Sequence, residues 1–240
     1  MAIDRCIDAA LQQRLDRFHA EELGCSVEDL HAEGIRVVTT PRRYRPGWGG
    51  YTVPFLALAT QTGSVVSVRS EQLARVSGDF SERYERGWLT WDDYEALRRL
   101  SKETVPYAYC LSGDVLYTDR ARFRPVTSRA TRLLLTDPSG ADLRRRFDGS
   151  IFVIRNTRRE IVSWAAIKLK SDDVWELAVV TERAYRGQGL AREVVSAATE
   201  FILENDRVAL YVHDRSNDAS ARVCRSLGYV EYGREFFSEY

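Results

Sequence analysis

The chain has 240 residues, with 35 basic and 35 acidic side chains and 44% hydrophobic residues. Its formal net charge of zero gives no overall field that would favour nucleic acid or an anionic membrane as a partner. No apolar run approaches the ~18–20 residues of a membrane-spanning helix. The length suffices for one large domain or two small ones with a substantial hydrophobic core.

Cysteine and histidine usage favours a reduced protein without a metal site. Cys6, Cys25, Cys110 and Cys224 are widely spaced and include no C-x-x-C pair, so free thiols in a cytoplasm are favoured over a disulfide framework. The three histidines form no ligand-spaced cluster, and we predict no metal. The N-terminal sequence lacks the apolar core of a secretion signal. We therefore predict a cytoplasmic protein.

The first 125 residues contain short helical and strand patterns. Apolar residues from Ile7 to Leu23 recur at helical spacing, and Gly24 marks the end of this helix. A short capped helical turn follows at Ser26. The further predicted elements are strands at 35–39, 53–60 and 64–69, a helix that Ser70 caps and that runs to residue 76, a helix at 90–101, and a hairpin of strands 107–111 and 115–117.

A polar, proline-containing connection at 122–129 leads into the second part of the chain. The predicted strands here are 131–135, 150–155, 161–168, 174–180, 207–212 and 229–234, and the predicted helices are 141–147, 190–204 and one that begins near Asn217. This order fits a mixed α/β sheet with helices on its faces.

The stretch Tyr185-Arg-Gly-Gln-Gly-Leu-Ala191 carries the clearest chemical information. It joins an apolar strand to an amphipathic helix through a turn with two glycines, which let the backbone approach a ligand closely. The start of a helix leaves backbone N–H groups without partners, and such a place favours an anion, above all a diphosphate. A P-loop is excluded because Leu190-Ala191 supplies no Lys and no Ser or Thr. A dinucleotide fold is disfavoured because Arg192 stands where its third glycine should pack.

The segment Arg186-Gly-Gln-Gly189-Leu-Ala191 matches the pattern Arg/Gln-x-x-Gly-x-Gly/Ala. Downstream, Leu227-Gly228-Tyr229 follows Asn217 at a separation that is common in proteins with this pattern. On these residues the chain resembles the GNAT superfamily of acyl-CoA-dependent N-acetyltransferases, over roughly residues 131 to 240.

The resemblance implies the acyl-CoA N-acyltransferase fold, a mixed and mostly antiparallel sheet flanked by helices. The strand and helix patterns before it predict an additional N-terminal α/β domain. We expect a boundary between residues 125 and 126, so that a GNAT domain fills 126–240. The first 125 residues would form a domain that shapes the acceptor site, and a diverged copy of the same fold is one reading of them.

The resemblance also implies a set of binding residues. Acetyl-CoA is the expected acyl donor, and the turn would hold its diphosphate. Backbone amides near the end of the fourth strand of the second part would stabilise the oxyanion, and Asn217 would lie beside the pantetheine arm, although it could instead only cap its helix. The predicted cofactor-binding residues are therefore Val179, Val180, Arg186, Gly187, Gln188, Gly189, Leu190, Ala191 and Asn217.

Two side chains are candidates for proton transfer. Strand alternation places Glu176 with Ala178 and Val180 on one face, where a carboxylate within an apolar strand could have a raised pKa and act as the base. A solvent-facing glutamate is the alternative. The resemblance implies a tyrosine at the position of Cys224, so that this thiol is a candidate acid. The alternative is a small packing residue there, with solvent or Tyr185, Tyr211 or Tyr229 as the donor, or with no acid needed.

The resulting prediction is an N-acetyltransferase that transfers an acetyl group from acetyl-CoA to a primary amine by direct attack in a ternary complex. The acceptor would be a small-molecule or peptide amine, and the resemblance implies a homodimer through the last strands. The alternative is a GNAT-like module that binds acyl-CoA as a sensor with little turnover. The replacement of the family's tyrosine by Cys224 keeps this alternative open.

Overall fold

The computed structural model describes residues 8–81, 89 and 93–240. The α-helices are Ala9–Leu23 (α1), Val27–His31 (α2), Leu73–Ser81 (α3), Tyr94–Thr104 (α4), Ala141–Arg146 (α5), Leu190–Glu204 (α6) and Asp218–Ser226 (α7). The strands are Gly34–Thr39 (β1), Phe55–Ala59 (β2), Gly63–Val68 (β3), Tyr109–Thr118 (β4), Thr131–Arg132 (β5), Ile151–Arg155 (β6), Ile161–Leu169 (β7), Val174–Thr181 (β8), Val208–His213 (β9) and Val230–Glu239 (β10). The predicted class, an α/β fold with a mixed and mostly antiparallel sheet flanked by helices, is confirmed.

Three predicted elements are wrong in detail. The expected hairpin at 107–117 is one continuous strand, β4, because the Ser112-Gly-Asp114 segment stays extended within the sheet and does not turn. Ser70 does not cap the helix: Arg69 precedes a 3₁₀ turn at Ser70–Gln72, and α3 then runs from Leu73 to Ser81. The strand expected at 131–135 is only the two residues of β5. The predicted starts at Ile7 and at residue 90 lie outside the described residues.

The chain divides into two compact units, each assembled from separate segments. The first comprises the residues up to Arg14, Leu116–Val212 and Ser216–Glu231. The second comprises Leu15–Val115, His213–Arg215 and Tyr232–Tyr240. The boundary expected between residues 125 and 126 stays a prediction.

In the first unit the sheet runs in the order β9-β8-β7-β6-β5, and β8 and β9 are parallel while the other pairs are antiparallel. Helix α6 covers one face, where Leu177 and Ala165 pack with Val194. Helix α5 covers the other face, where Leu143 packs with Trp164, Ala166 and Ala178. The alternation of side chains along β8 therefore places Glu176 and Val180 on the α5 face.

In the second unit the sheet runs in the order β1-β3-β2-β10, with β1 and β3 parallel and the other pairs antiparallel. Its core joins strand residues such as Phe55, Val66 and Phe236 to Leu97 and Leu100 of α4. The predicted helix end at Gly24 is confirmed, since this glycine has a φ of +76° directly after α1. Ser26 caps α2 through the Asp29 N–H, as expected from the sequence.

Candidate functional site

The turn between β8 and α6 has the geometry that its two glycines predict. Gly187 and Gly189 adopt φ values of +77° and +79°, a region that favours glycine. Gly189 occupies the N-cap position of the 15-residue helix α6. Arg186 fixes the start of the turn, because its Nε–H donates to the Thr181 carbonyl at 3.1 Å. Residues 187–189 thus form a turn whose backbone is exposed to solvent.

The N-terminus of α6 is open to an anion. No side chain caps it among the described residues, and the first hydrogen bond of the helix runs from the Glu193 N–H to the Gly189 carbonyl. The N–H groups of Leu190 and Ala191 therefore have no acceptor within the helix. A Cβ added at Gly187 or Gly189 would meet no heavy atom within 4 Å, so that space is available directly over the turn. These residues fit a diphosphate.

The parallel strands β8 and β9 separate before either ends. Their pairing runs from Val174 opposite Val208 to Leu177 opposite Tyr211, and β8 continues to Thr181 without this neighbour. Against β7, in contrast, β8 stays in register from Trp175 to Thr181 without a shift. The strand thus has one free edge over its last residues, without a bulge against β7.

The hydrogen-bond pattern decides which amide faces that free edge. The Glu182 N–H donates to the Val162 carbonyl at 2.9 Å, so these two residues form a hydrogen-bonded pair. In an antiparallel ladder the hydrogen-bonded pairs recur at every second residue, so Val180, like Glu182, directs its N–H toward β7. The N–H of Val179 therefore points away from β7. Of the two amides expected to stabilise the oxyanion, Val179 therefore faces the opening between β8 and β9.

Glu176 lies in an ion-paired cluster. Its side chain is 12% exposed, and Lys168 stands opposite it in the β7–β8 register. Lys168 Nζ donates to Glu176 Oε1 at 2.5 Å, and Lys170 Nζ lies 3.7 Å from Oε2. Burial acts to raise the pKa of Glu176, but the positive charges of Lys170 and Lys168 outweigh it and hold the pKa below its ordinary value. The expectation of a raised pKa is therefore wrong.

Cys224 and Asn217 lie at the two ends of the same short helix, α7. Asn217 is exposed, and its Oδ1 accepts the Ser220 N–H at 3.0 Å, so the predicted cap is present. Cys224 has no exposed surface and packs in the core with Tyr211 and Tyr229. Its Sγ–H donates to the Ala221 carbonyl at 3.3 Å. This placement favours the packing alternative for Cys224.

Sequence reasoning missed two features of this unit. The first is the pair Lys168 and Lys170, whose signal was the alternating Lys-Leu-Lys at the end of a strand that pairs with β8. The second is the contact between the Tyr211 hydroxyl and the Ser220 hydroxyl, 2.8 Å apart. Spacing along the chain gives no hint of this contact, because it joins β9 to α7.

The described residues give two results on other site types. No group of three or more histidine, cysteine, aspartate or glutamate side chains is arranged to hold a metal within the described ranges. Within those same residues no helix combines the length and apolarity needed to cross a bilayer.

Three solved structures are among those similar to this chain. A Drosophila protein solved by X-ray crystallography has a TM-score of 0.50 at 12% identity, over 96% of this chain and 87% of that chain. A GNAT-family structure from Novosphingobium aromaticivorans has a TM-score of 0.47 at 17% identity, over 55% and 64% of the two chains. A GCN5-related N-acetyltransferase-like protein from Streptococcus suis has a TM-score of 0.47 at 15% identity, over 77% and 82%.

At such identities the likeness to the Drosophila protein concerns the fold alone. The chain spans less than two thirds of the first structures that it matches, 64% of the Novosphingobium chain and 63% of a GCN5-related N-acetyltransferase from Kribbella flavida. No curated protein matches the chain. A family model described as an acetyltransferase (GNAT) domain matches residues 86–230, more than half of the sequence. The chain therefore belongs to the GNAT acetyltransferase family.

Proposed function

We propose that the chain transfers the acetyl group of acetyl-CoA to a primary amine, by direct attack of the amine on the bound thioester in a ternary complex. The observation that carries the proposal is a combination within one unit. The N-terminus of α6, which has no side-chain cap, follows a two-glycine turn. The strand β8 that leads into this turn extends beyond its pairing with β9. The first feature suits a diphosphate and the second opens a strand edge to an extended ligand.

The turn would hold the nucleotide end of the donor. Backbone N–H groups of Gln188, Gly189, Leu190 and Ala191 are the proposed diphosphate ligands, and Arg186 and Gly187 complete the turn. Bound acetyl-CoA would supply an activated acetyl group and a thiolate as the leaving group. The pantetheine arm would follow the free edge of β8, with Asn217 and the backbone of Val179 and Val180 beside it.

The Val179 N–H is the proposed donor to the oxyanion. It points away from β7 at the edge where β9 has separated, so it is available for a carbonyl oxygen that becomes negative as the amine attacks. A fixed amide donor stabilises such a charge without reorganisation.

Glu176 is the proposed acceptor of the amine proton, directly or through water. Its low pKa keeps it ionised at neutral pH, but a carboxylate with a low pKa is a weak base. The acceptor amine therefore has to be largely deprotonated in solution before it reacts. We expect activity to rise with pH up to the pKa of the acceptor amine.

The donor site is tested by calorimetric titration with acetyl-CoA. Gly189→Glu places a carboxylate at the proposed diphosphate site, and we expect it to abolish binding. Gly50→Glu is the matched control, because Gly50 has a similar φ of +82° with nothing within 4 Å of an added Cβ. Equal loss of binding in both variants, or binding by Gly189→Glu, would contradict the assignment.

Turnover is tested by thiol release from acetyl-CoA over a panel of primary amines and short peptides. Amine-dependent release supports the acetyltransferase, and Glu176→Gln should lower kcat while Glu182→Gln, an exposed glutamate beyond the end of β8, should not. Binding of acetyl-CoA without release to any amine would favour the sensor alternative. The cytoplasmic location, the homodimer and a substrate-shaping role for the first 125 residues stay predictions.

A further inference from the structure

The turn between β6 and β7, residues 156–160, presents two adjacent arginines to solvent. Arg158 and Arg159 are both exposed. Within the part of the chain that the structure describes, neither guanidinium makes an ion pair, a side-chain hydrogen bond or a ring contact. A guanidinium binds phosphate oxygens through two parallel N–H···O bonds, so two such groups without a carboxylate partner suit a phosphorylated ligand.

The backbone of this β6–β7 turn is held by Asn156. Its Oδ1 accepts the Arg158 N–H at 2.9 Å and the Glu160 N–H at 3.0 Å, and its carbonyl accepts the Arg159 N–H at 3.0 Å. Arg159 has a φ of +65°, a region in which glycine or asparagine is less strained. The turn therefore carries a long cationic side chain at a position whose backbone favours a small residue.

The β6–β7 turn lies beside the two-glycine turn that precedes α6. Strands β6 and β8 are both antiparallel to β7, so the C-terminal ends of β6 and β8 lie at the same end of the sheet. Asn156 Nδ2 donates a hydrogen bond to the Tyr185 hydroxyl at 3.0 Å, and Tyr185 stands two residues before Gly187. The two arginines are thus tied to the segment that leads into the proposed diphosphate site.

We propose that Arg158 and Arg159 bind the 3′-phosphate of coenzyme A, and that Asn156 and Tyr185 position them for this. The inference rests on the proposed function and deepens it. It states which donor the same site accepts, namely acetyl-CoA in preference to the analogue that lacks the 3′-phosphate.

The charge of the ligand fits this assignment. Coenzyme A carries a diphosphate and, separately, a phosphate monoester on the ribose 3′ oxygen. In the proposed function the backbone N–H groups at the start of α6 bind the diphosphate, so the monoester needs donors of its own. A monoester has a charge of about −1.5 to −2 at pH 7. Two arginines and one glutamate give the β6–β7 turn a net charge of +1, and this Glu160 already accepts a hydrogen bond from Asn156 Nδ2 at 2.6 Å.

The test compares calorimetric Kd values for coenzyme A and for 3′-dephospho-coenzyme A, which differ only in the monoester. We expect the wild type to bind coenzyme A about tenfold more tightly, the effect of one charge-assisted contact in a solvent-exposed place. In the double variant Arg158→Ala/Arg159→Ala the two Kd values should agree within about twofold, with the affinity for the dephospho form unchanged.

Three further variants separate recognition from folding. Arg159→Gly removes one guanidinium and relieves the strain of a positive φ, so its Tm should not fall although its preference for coenzyme A should. Tyr185→Phe removes the hydrogen bond to Asn156 and should reduce the preference in part. The matched control is Arg145→Ala/Arg146→Ala, which removes two adjacent exposed arginines of α5, on the opposite face of the sheet, and should leave the preference unchanged.

Phosphorus NMR gives a readout of the monoester itself. The second pKa of a phosphate monoester is about 6 in water, and nearby guanidinium groups favour the dianion. The pKa of the 3′-phosphate of bound coenzyme A should therefore be about 0.5–1 unit lower in the wild type than in Arg158→Ala/Arg159→Ala. The diphosphate resonances of the same complex serve as the internal control and should not differ between the two proteins.

The outcomes are separable. Equal affinity of the wild type for the two ligands overturns this inference and leaves the proposed function intact. A preference for coenzyme A that survives in Arg158→Ala/Arg159→Ala overturns it as well, because other residues then bind the 3′-phosphate. An equal loss of affinity for both ligands in this variant overturns it in favour of a contact with the diphosphate or the adenosine. If the wild type binds neither ligand, both the proposed function and this inference fail.

Discussion

The ion pair between Glu176 and Lys168 allows a quantitative prediction about stability. Glu176→Gln keeps the shape of the side chain and removes its charge, which leaves Lys168 and Lys170 without this carboxylate. A surface ion pair contributes about 0–1 kcal/mol, and breaking a fully buried one costs about 3–5 kcal/mol. With 12% exposure of Glu176 and 23% exposure of Lys168, the pair lies between these limits. We expect a loss of about 2 kcal/mol at pH 7.5, or about 4–8 °C in Tm for a chain of this size.

The loss should depend on pH with a definite sign. The pKa of Glu176 is lowered in the folded chain, so its contribution to stability is fully present above the unfolded value of about 4.3. It is lost as the pH falls through the lower pKa of the folded state. The free energies of unfolding of the wild type and of Glu176→Gln should therefore converge as the pH falls from about 5 toward 3.

The measurement is urea unfolding at a series of pH values between 7.5 and 3. Glu200→Gln, an exposed glutamate on α6, is the control for a general effect of charge. A difference between wild type and Glu176→Gln that stays constant over the whole pH range would refute the reasoning. So would a loss at pH 7.5 no larger than that of the control.

Three further predictions concern the framework around the site, and urea unfolding measures each of them. Gly228→Ala should lower the free energy of unfolding by about 2–4 kcal/mol, because φ is +90° and the added Cβ would lie 2.0 Å from the Arg122 carbonyl oxygen. Gly50→Ala, which is strained but meets no neighbouring atom, should lower it by only about 1 kcal/mol. Equal losses in the two variants would contradict the clash. Asn217→Ala should lower the free energy of unfolding by about 1 kcal/mol, because the helix cap is lost, and Asn217→Ser should retain most of the wild-type value. An unchanged free energy of unfolding in Asn217→Ala would argue against the cap. Arg14→Met should lower the free energy of unfolding by about 1–3 kcal/mol, since Arg14 Nε donates to Asp173 Oδ1 at 3.1 Å. An unchanged free energy of unfolding would mean that this hydrogen bond does not stabilise the chain.

Local patterns in the sequence predicted much of the first unit. Helix α6 has the predicted bounds of 190–204, because its apolar residues recur at helical spacing and a glycine precedes them. The turn at 187–189 was predicted from the glycines alone, since few other residues accept a positive φ. The continuous strand β4 was missed because its Ser-Gly-Asp segment has the composition of a turn, and the sheet overrides this preference.

In the candidate site too, some features follow from local sequence and others only from tertiary contacts. The sequence by itself determined the family pattern at Arg186–Ala191, the face of β8 that carries Glu176 and the cap at Asn217, because each depends on residues close together in the chain. Only the tertiary structure decided that Lys168 and Lys170 hold Glu176 ionised, that β8 and β9 separate after Leu177 and Tyr211, and that Ser220 contacts Tyr211. These features depend on strand register and on how α7 packs against β9. Pairing between distant segments is set by the burial of the whole core, so no local pattern encodes it.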